Sequence, residues 1–318
     1  MKMKLITGAL GQIGTELIAA LSDKYGAASV IATDLVDQPD LNCRYEKLDV
    51  TDLKAFQALF SKYQIDEVYH LASILSAKGE ANPDLLWRVN MGGLQNVLDL
   101  ARQYQFKLFN PSSIAAFGPS TPADDTPQVT IQRPTTIYGV SKVTGELLAD
   151  YYFAKYGVDV RGLRFPGLIS NKQLPGGGTT DYAVHIYYEA LKSGRYTSYI
   201  GAGTYLDMLY MPDAIKGIID LMAADGTKLK NRNAYNITAM SIDPEAIAKS
   251  IKKQLPHFQL DYDVDPVRQA IAESWPNKLD DSAARAEWQW QPAYDLDKMT
   301  EDMLSKLAKK MERSKHEQ

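Results

Sequence analysis

Cysteine is nearly absent: Cys43 stands alone in a chain of 318 residues. One thiol excludes an intrachain disulfide framework and a zinc site built on cysteines, and it suits a reducing compartment such as the cytoplasm. Histidine is scarce as well. His70, His185, His257 and His316 are far apart, without ligand spacing, so no metal is expected. No apolar run approaches the roughly 20 residues of a membrane span. Residues 1–4 run straight into an apolar strand pattern, so no leader peptide is expected. Basic residues are not in excess: the net charge is −4, with Lys and Arg scattered. Neither a nucleic acid nor an anionic membrane is then the expected partner. What is present is a soluble globular composition, 45% hydrophobic and 23% charged, enough for one large domain or two packed together.

Up to about residue 165 short apolar runs alternate with helical periods. Strands are expected at 4–7, 29–33, 45–48, 67–71, 107–110 and 160–165. Helices are expected at 12–24, with Ile13, Leu17, Ala20 and Leu21 on one face, and at 52–63, with Leu53, Phe56, Leu59 and Phe60. Asn82 followed by Pro83 reads as a cap and a first turn. This alternation predicts an α/β fold: a Rossmann-type, doubly wound parallel sheet with helices on both faces. After residue 165 the texture changes. Residues 174–180 read Leu-Pro-Gly-Gly-Gly-Thr-Thr, a loop by composition, and a helix is expected from Asp181 to about Ser193. Residues 1–165 are thus read as a dinucleotide domain. Residues 166–318 are read mainly as a smaller substrate lobe, with some segments returning to the first domain.

Gly8, Gly11 and Gly14 lie between the first strand and the first helix. Gly8 permits a tight turn, Gly11 lets backbone approach a pyrophosphate, and Gly14 lets helix pack on strand. The helix start beside Gln12 and Ile13 offers free N–H groups to phosphate. A glycine triplet also suits a plain strand-to-helix turn; its place at the first strand favours a dinucleotide. Asp34 ends the second strand and is followed by Leu35, Val36 and Asp37, with no Arg or Lys. An acid there accepts ribose hydroxyls and repels a 2′-phosphate, which favours NAD. Asp49 and Val50 end the third strand, where they suit either an adenine contact or a helix cap.

Tyr138 and Lys142 are four residues apart and share a helix face. A buried lysine beside a phenol is expected to bring its pKa from about 10 toward neutrality, making it a base. Ser112 and Ser113 follow the fifth strand, where a hydroxyl can hold a substrate oxygen. Tyr-x-x-x-Lys alone suits a surface pair. Together with the glycines and a serine at a strand end, it points to hydride-transfer chemistry.

These residues as a set, with His70-Leu71-Ala72-Ser73 and Val89-Asn90-Met91-Gly92-Gly93, resemble the extended short-chain dehydrogenase/reductase superfamily over residues 1 to about 165. The resemblance implies that Ser113, Tyr138 and Lys142 are catalytic. It implies that Leu71, Ala72, Ser73, Phe165 and Pro166 line the cofactor, and that Asn90 supports the adjacent helix and a relay water. The nucleotide-sugar members usually carry Asn where this chain has Pro166, and an Arg near the later acid, absent from Thr204-Tyr205-Leu206-Asp207-Met208. Residues 165–170, 175–183 and 274–285 are instead similar to the short-chain L-threonine 3-dehydrogenases. That likeness implies metal-independent oxidation of L-threonine at C3 by NAD. It also implies substrate contacts from Ser73, Ser112, Ser113, Tyr138, Gly178, Thr179, Thr180 and Trp275. Residues 174–180 are read as a lid. Bland readings stand beside these: Thr179 and Thr180 also suit helix caps, and Trp275 also suits simple core. A nucleotide-sugar epimerase or dehydratase is the alternative, and a non-catalytic NAD-sensing protein is an alternative of another class. By analogy with the superfamily, a homodimer is expected through helices near 83–102 and 138–156.

Overall fold

The computed structural model describes residues 2–37, 40–172 and 176–316. The first half contains β1 (Met3–Thr7), α1 (Gln12–Tyr25), β2 (Val30–Asp34), β3 (Arg44–Lys47), α2 (Leu53–Lys62) and β4 (Ile65–His70). Then come α3 (Ser76–Ala81), α4 (Pro83–Trp87), α5 (Gly93–Tyr104), β5 (Lys107–Phe109), β6 (Ser112–Ser113), α6 (Ile137–Tyr156) and β7 (Val160–Arg161). Six strands form one parallel sheet in the order β3-β2-β1-β4-β5-β7. Parallel neighbours need crossover connections, and helices supply all of them except the one from β2 to β3. This is the expected doubly wound α/β architecture.

Strand periodicity sends neighbouring side chains to opposite faces. Leu5 packs with Phe56, Val68, Val97 and Leu98 on the α2 and α5 side. Ile6 packs with Leu17, Leu21, Phe109 and Ile218 on the other. Local chemistry sets the helix ends. Asp52 caps α2 by accepting from the Ala55 N–H, and Asn82 caps α4 ahead of Pro83. Thr136 caps α6 through the Gly139 N–H, and Gly157 (φ +69°) closes it.

Two first-half expectations need correction. The helix expected across 83–102 is interrupted by a π-turn at Arg88–Gly92, which carries Asn90. The sixth strand also breaks, at Gly162. There the N–H donates to the Arg232 carbonyl and the carbonyl accepts from the Tyr235 N–H. A Cβ at Gly162 would lie 2.3 Å from the carbonyl oxygens of both Asn110 and Asn233, so only glycine lets the chain cross.

Beyond Gly162 lie β8 (Leu163–Phe165), β9 (Gly167–Ile169), α7 (Tyr182–Ser193), β10 (Arg195–Ser198), β11 (Leu206–Tyr210) and α8 (Met211–Ala223). They are followed by β12 (Tyr235–Asn236), β13 (Met240–Ile242), α9 (Pro244–Lys252), β14 (Gln259–Tyr262), α10 (Pro266–Glu273), α11 (Ser282–Trp288) and α12 (Leu296–His316). Small sheets run β12-β8-β6, β13-β11-β9 and β10-β14. Tyr187, Ile247, Ile251, Met299, Met303 and Leu307 share one core, joining α7, α9 and α12. α8 returns to the large sheet, where Ile215, Ile218 and Leu221 pack beside Leu17 and Leu21. Its last carbonyls, Leu221, Met222 and Ala224, accept from the buried Arg161 guanidinium. α7 begins at Tyr182, one residue after the expected Asp181, behind a 3-10 turn at Thr179–Asp181. No helix of the described residues is long and apolar enough to cross a membrane.

Candidate active site

The glycine turn closes as its spacing requires. Gly8 has φ +63°, and a Cβ there would lie 2.6 Å from the Ala72 backbone nitrogen. A Cβ on Gly14 would lie 2.6 Å from the carbonyl oxygens of Gly8 and Ala9. Gly11 is the N-cap of α1 and supplies no side-chain cap. Asp34 anchors the turn: one carboxylate oxygen accepts from the Leu10 N–H at 3.0 Å and the other from the Leu35 N–H at 2.8 Å. Leu35 itself is exposed. Asp49 accepts from the Thr51 N–H and hydroxyl, and the buried Val50 accepts at its carbonyl from Asn96.

A cleft of about 410 Å³ opens from this turn. Gly8, Gly11, Gln12, Ile13 and Gly14 form one end, with Leu71, Ser73, Phe165 and Pro166 along the wall. Ser112, Ser113, Tyr138 and Lys142 line the middle, and Gly178, Thr179, Thr180 and Trp275 the far end. Asp34, Leu35, Asp49, Val50, Ala72 and Asn90 do not line it. Ala72 backs Gly8. Asn90 works at one remove: its amide accepts from the Ile74 N–H at 2.8 Å and donates to the Ile74 carbonyl at 3.1 Å, pinning the loop after β4.

At the centre, Lys142 Nζ lies 5.2 Å from the Tyr138 ring centroid and donates to the Pro111 carbonyl at 2.9 Å. Burial dominates the electrostatics. It pushes the Tyr138 phenol up to about 12, against a hydrogen bond with Ser113 that pulls it down. It pushes the Lys142 ammonium down to about 8, against the carboxylate of Glu146. The expectation that Lys142 brings the phenol near neutrality is therefore corrected: among the protein's own groups desolvation dominates, and Ser113 supplies the opposing influence. Beside them His70 is buried and held neutral, its pKa lowered to about 3. Its Nδ1 is 2.9 Å from the Thr7 hydroxyl.

Ser112 faces a group the sequence reading missed. Its hydroxyl donates to Glu146, which also takes Arg164 in a bidentate buried pair with N–O distances of 2.9 and 2.8 Å. Ser113, not Ser112, therefore has the hydroxyl that faces Tyr138. Glu146 follows Lys142 by one helical turn, and that i,i+4 spacing was the available signal. Other lining residues not foreseen include Leu10, Leu75, Ser76, Pro111, Ile114, Gly167, Leu168 and Asp181.

The far end is a tight turn. Thr179 is 1% exposed, and its hydroxyl has no hydrogen-bond partner among the described residues. Neither Thr179 nor Thr180 caps α7 through its side chain. Trp275 is both buried and cleft-lining. Leu174 and Pro175, the start of the expected lid, lie outside the described residues. Among the described residues no group of His, Cys, Asp and Glu could hold a metal.

A model of the NAD-dependent epimerase/dehydratase family matches residues 4–238. The chain belongs to that family. It is an extended short-chain dehydrogenase/reductase with a Rossmann-like fold, and NAD is its cofactor. It is 56% identical over 311 residues to an uncharacterized epimerase/dehydratase of Staphylococcus saprophyticus, covering 96% of this chain and 97% of that one. It is also similar to the solved L-threonine dehydrogenase of Clostridium difficile, with 57% identity, TM-score 0.96 and 98% of each chain covered. The holo form of a GalE-like L-threonine dehydrogenase from Cupriavidus necator matches with 49% identity and TM-score 0.94, over 96% of this chain and 99% of that one.

Proposed function

We propose that this family member oxidises L-threonine at C3 to L-2-amino-3-oxobutanoate, using NAD and no metal. The observation that carries this reading is the make-up of the cleft. Ser113, Tyr138 and Lys142 stand together beside the glycine turn, and Lys142 is the one cation among the described lining residues. A nucleotide diphosphate would call for more positive charge. Asp207, near which nucleotide-sugar enzymes usually place their Arg, is fully buried on Thr238 and the Leu279 N–H. Similarity to the two threonine dehydrogenases supports the same reading.

The residues present fit NAD. Gly8, Gly11, Gln12, Ile13 and Gly14 would hold the pyrophosphate on the α1 start, where any Cβ on Gly8 or Gly14 would collide with backbone. Asp34 and Leu35 would meet the adenosine ribose, Asp49 and Val50 the adenine. Leu71, Ala72, Ser73, Phe165 and Pro166 would border the nicotinamide half, with Asn90 acting through Ile74. When bound, NAD accepts hydride from C3 and brings a positive charge that favours the phenolate. Tyr138 Oη takes the proton of the substrate hydroxyl, Ser113 Oγ holds that oxygen, and Lys142 Nζ holds the phenolate charge. Ser73, Gly178, Thr179, Thr180 and Trp275 enclose the substrate. In this reading residues 1–165 are the cofactor domain and 166–318 mainly the substrate lobe.

α6 also presents an apolar stripe: Val140, Leu147 and Tyr151 are 38%, 63% and 51% exposed. Exposed Trp87 on α4 adds to it. This stripe supports a homodimer paired through α4–α5 and α6, to be checked by sedimentation. The single thiol supports a cytoplasmic setting.

The function is tested by NADH formation at 340 nm with L-threonine, D-threonine, L-serine and UDP-glucose. L-threonine should dominate. Turnover of UDP-glucose, followed by chromatography of the nucleotide sugar because an epimerase returns its hydride and accumulates no NADH, without L-threonine oxidation would overturn the reading in favour of an epimerase. No turnover with firm NAD binding would favour a sensing protein.

A further inference from the structure

The cleft holds one acid. Among the described residues lining it, Asp181 is the sole carboxylate, just as Lys142 is the sole cation. Asp181 closes the 3-10 turn Thr179–Asp181 at the entrance to α7. Its Oδ2 accepts the N–H groups of Gly177 at 2.9 Å and Gly178 at 2.7 Å, which folds the glycine stretch back onto the helix start. Gly178 has an ordinary φ of −88°; it is glycine for another reason. A Cβ there would lie 2.8 Å from Asp181 Oδ1. The carboxylate is therefore fixed in place, while Oδ1 takes no hydrogen bond from a described residue.

Burial of this carboxyl raises its pKa, opposed first by the Gly178 and Gly177 N–H groups and then by the positive influences of His185 and Arg268. A charge kept in a dry cleft is costly until a charged partner meets it. On the same turn the buried Thr179 hydroxyl has no partner among the described residues. A fixed, cleft-lining carboxylate suits an α-amino acid, whose ammonium needs an anion.

We propose that Asp181 receives the α-ammonium of the substrate through Oδ1, and that this contact selects a 3-hydroxy-α-amino acid over the matching 3-hydroxy acid. The inference rests on the threonine reading above and adds a specificity-determining residue to it.

The test compares kcat/KM for L-threonine and for (R)-3-hydroxybutyrate, which shares the C3 configuration and carboxylate but lacks the amine. Both are measured on the NAD-loaded full chain and on Asp181→Asn. Asparagine is isosteric, and its Oδ1 can still accept both glycine N–H groups, so the turn is kept while the charge is lost. The preference for threonine should fall by at least about 20-fold, mostly through KM, as expected for a charge-assisted hydrogen bond. A fall of less than about threefold would overturn the assignment. A second measurement needs no variant: L-2-aminobutyrate should inhibit the wild type competitively at least about tenfold better than (S)-2-hydroxybutyrate. Equal inhibition would overturn the assignment even if Asp181→Asn does not fold. Absence of threonine-dependent NADH in the wild type removes the threonine reading and this inference together. Normal threonine turnover with an unchanged preference in Asp181→Asn removes only the role of Asp181.

Discussion

At one end of the cleft, Gly8, Gly11 and Gly14 come from a single turn, steadied by Asp34 from the next strand. At the other end, past Ser113 and Tyr138 in the middle, Thr179 and Trp275 arrive from a helix start and a distant loop. The first end is made of backbone. Its requirements are steric, and a missing Cβ meets them. The second end is made of side chains whose polar atoms are partly left without protein partners, notably the Thr179 hydroxyl. Substitutions should therefore separate binding of the cofactor from binding of the substrate, and the middle of the cleft should separate both from chemistry.

The largest separation is expected at Tyr138→Phe. Only the proton-carrying hydroxyl goes, so kcat should fall by about 10³-fold or more while NAD affinity is nearly kept. Substantial turnover at neutral pH would break the assignment of Tyr138 as base. Next is Lys142→Met. Burial sets the phenol high, and the phenolate is the active form, so the rate rises with pH through the phenol's ionisation. The Lys142 ammonium is itself brought down to about 8, so its charge supports the phenolate where the positive charge of bound NAD draws the phenol's ionisation lower. With NAD bound, removing the lysine's charge should move the rise to higher pH, and it should weaken NAD binding. A pH–rate profile that does not move would contradict the lysine's electrostatic role.

Smaller effects sharpen the contrast between the two ends. Thr179→Ala should raise KM for threonine about tenfold, with NAD affinity scarcely changed, because Thr179 lines the far end of the cleft. Titration of both ligands checks this, and a matching loss of NAD affinity would argue against the division. Asp34→Ala should act in the opposite sense, sparing KM for threonine and narrowing the preference for NAD over NADP by about tenfold. Equal use of NADP by the wild type would contradict the role given to Asp34.

The contrast also explains what could be read in advance. The glycine turn, Asp34, and the Tyr138–Lys142 spacing are local patterns, and parallel strands follow from strand–helix alternation; all were legible. Gly162 looked like one more strand residue. Its meaning depends on Asn110 and Asn233, brought against it only by the tertiary fold. Glu146 read as one more helix residue, because Arg164 and Ser112 reach it from other segments. Asp181 looked like the first residue of a helix, and its carboxylate turns back instead to the glycine amides. The phenol's pKa was misjudged for the same reason. Spacing shows that a lysine is near, and only the packed structure shows how dry the pair is.

The central claim is that hydride leaves C3 of L-threonine in this cleft, with Tyr138 as the base. The most direct measurement supplies L-threonine deuterated at C3 together with NAD and follows the label by mass spectrometry. Deuterium is expected in the reduced cofactor, released with L-2-amino-3-oxobutanoate, and none with Tyr138→Phe. Reduced cofactor without deuterium, or labelled cofactor at an undiminished rate from Tyr138→Phe, would contradict it.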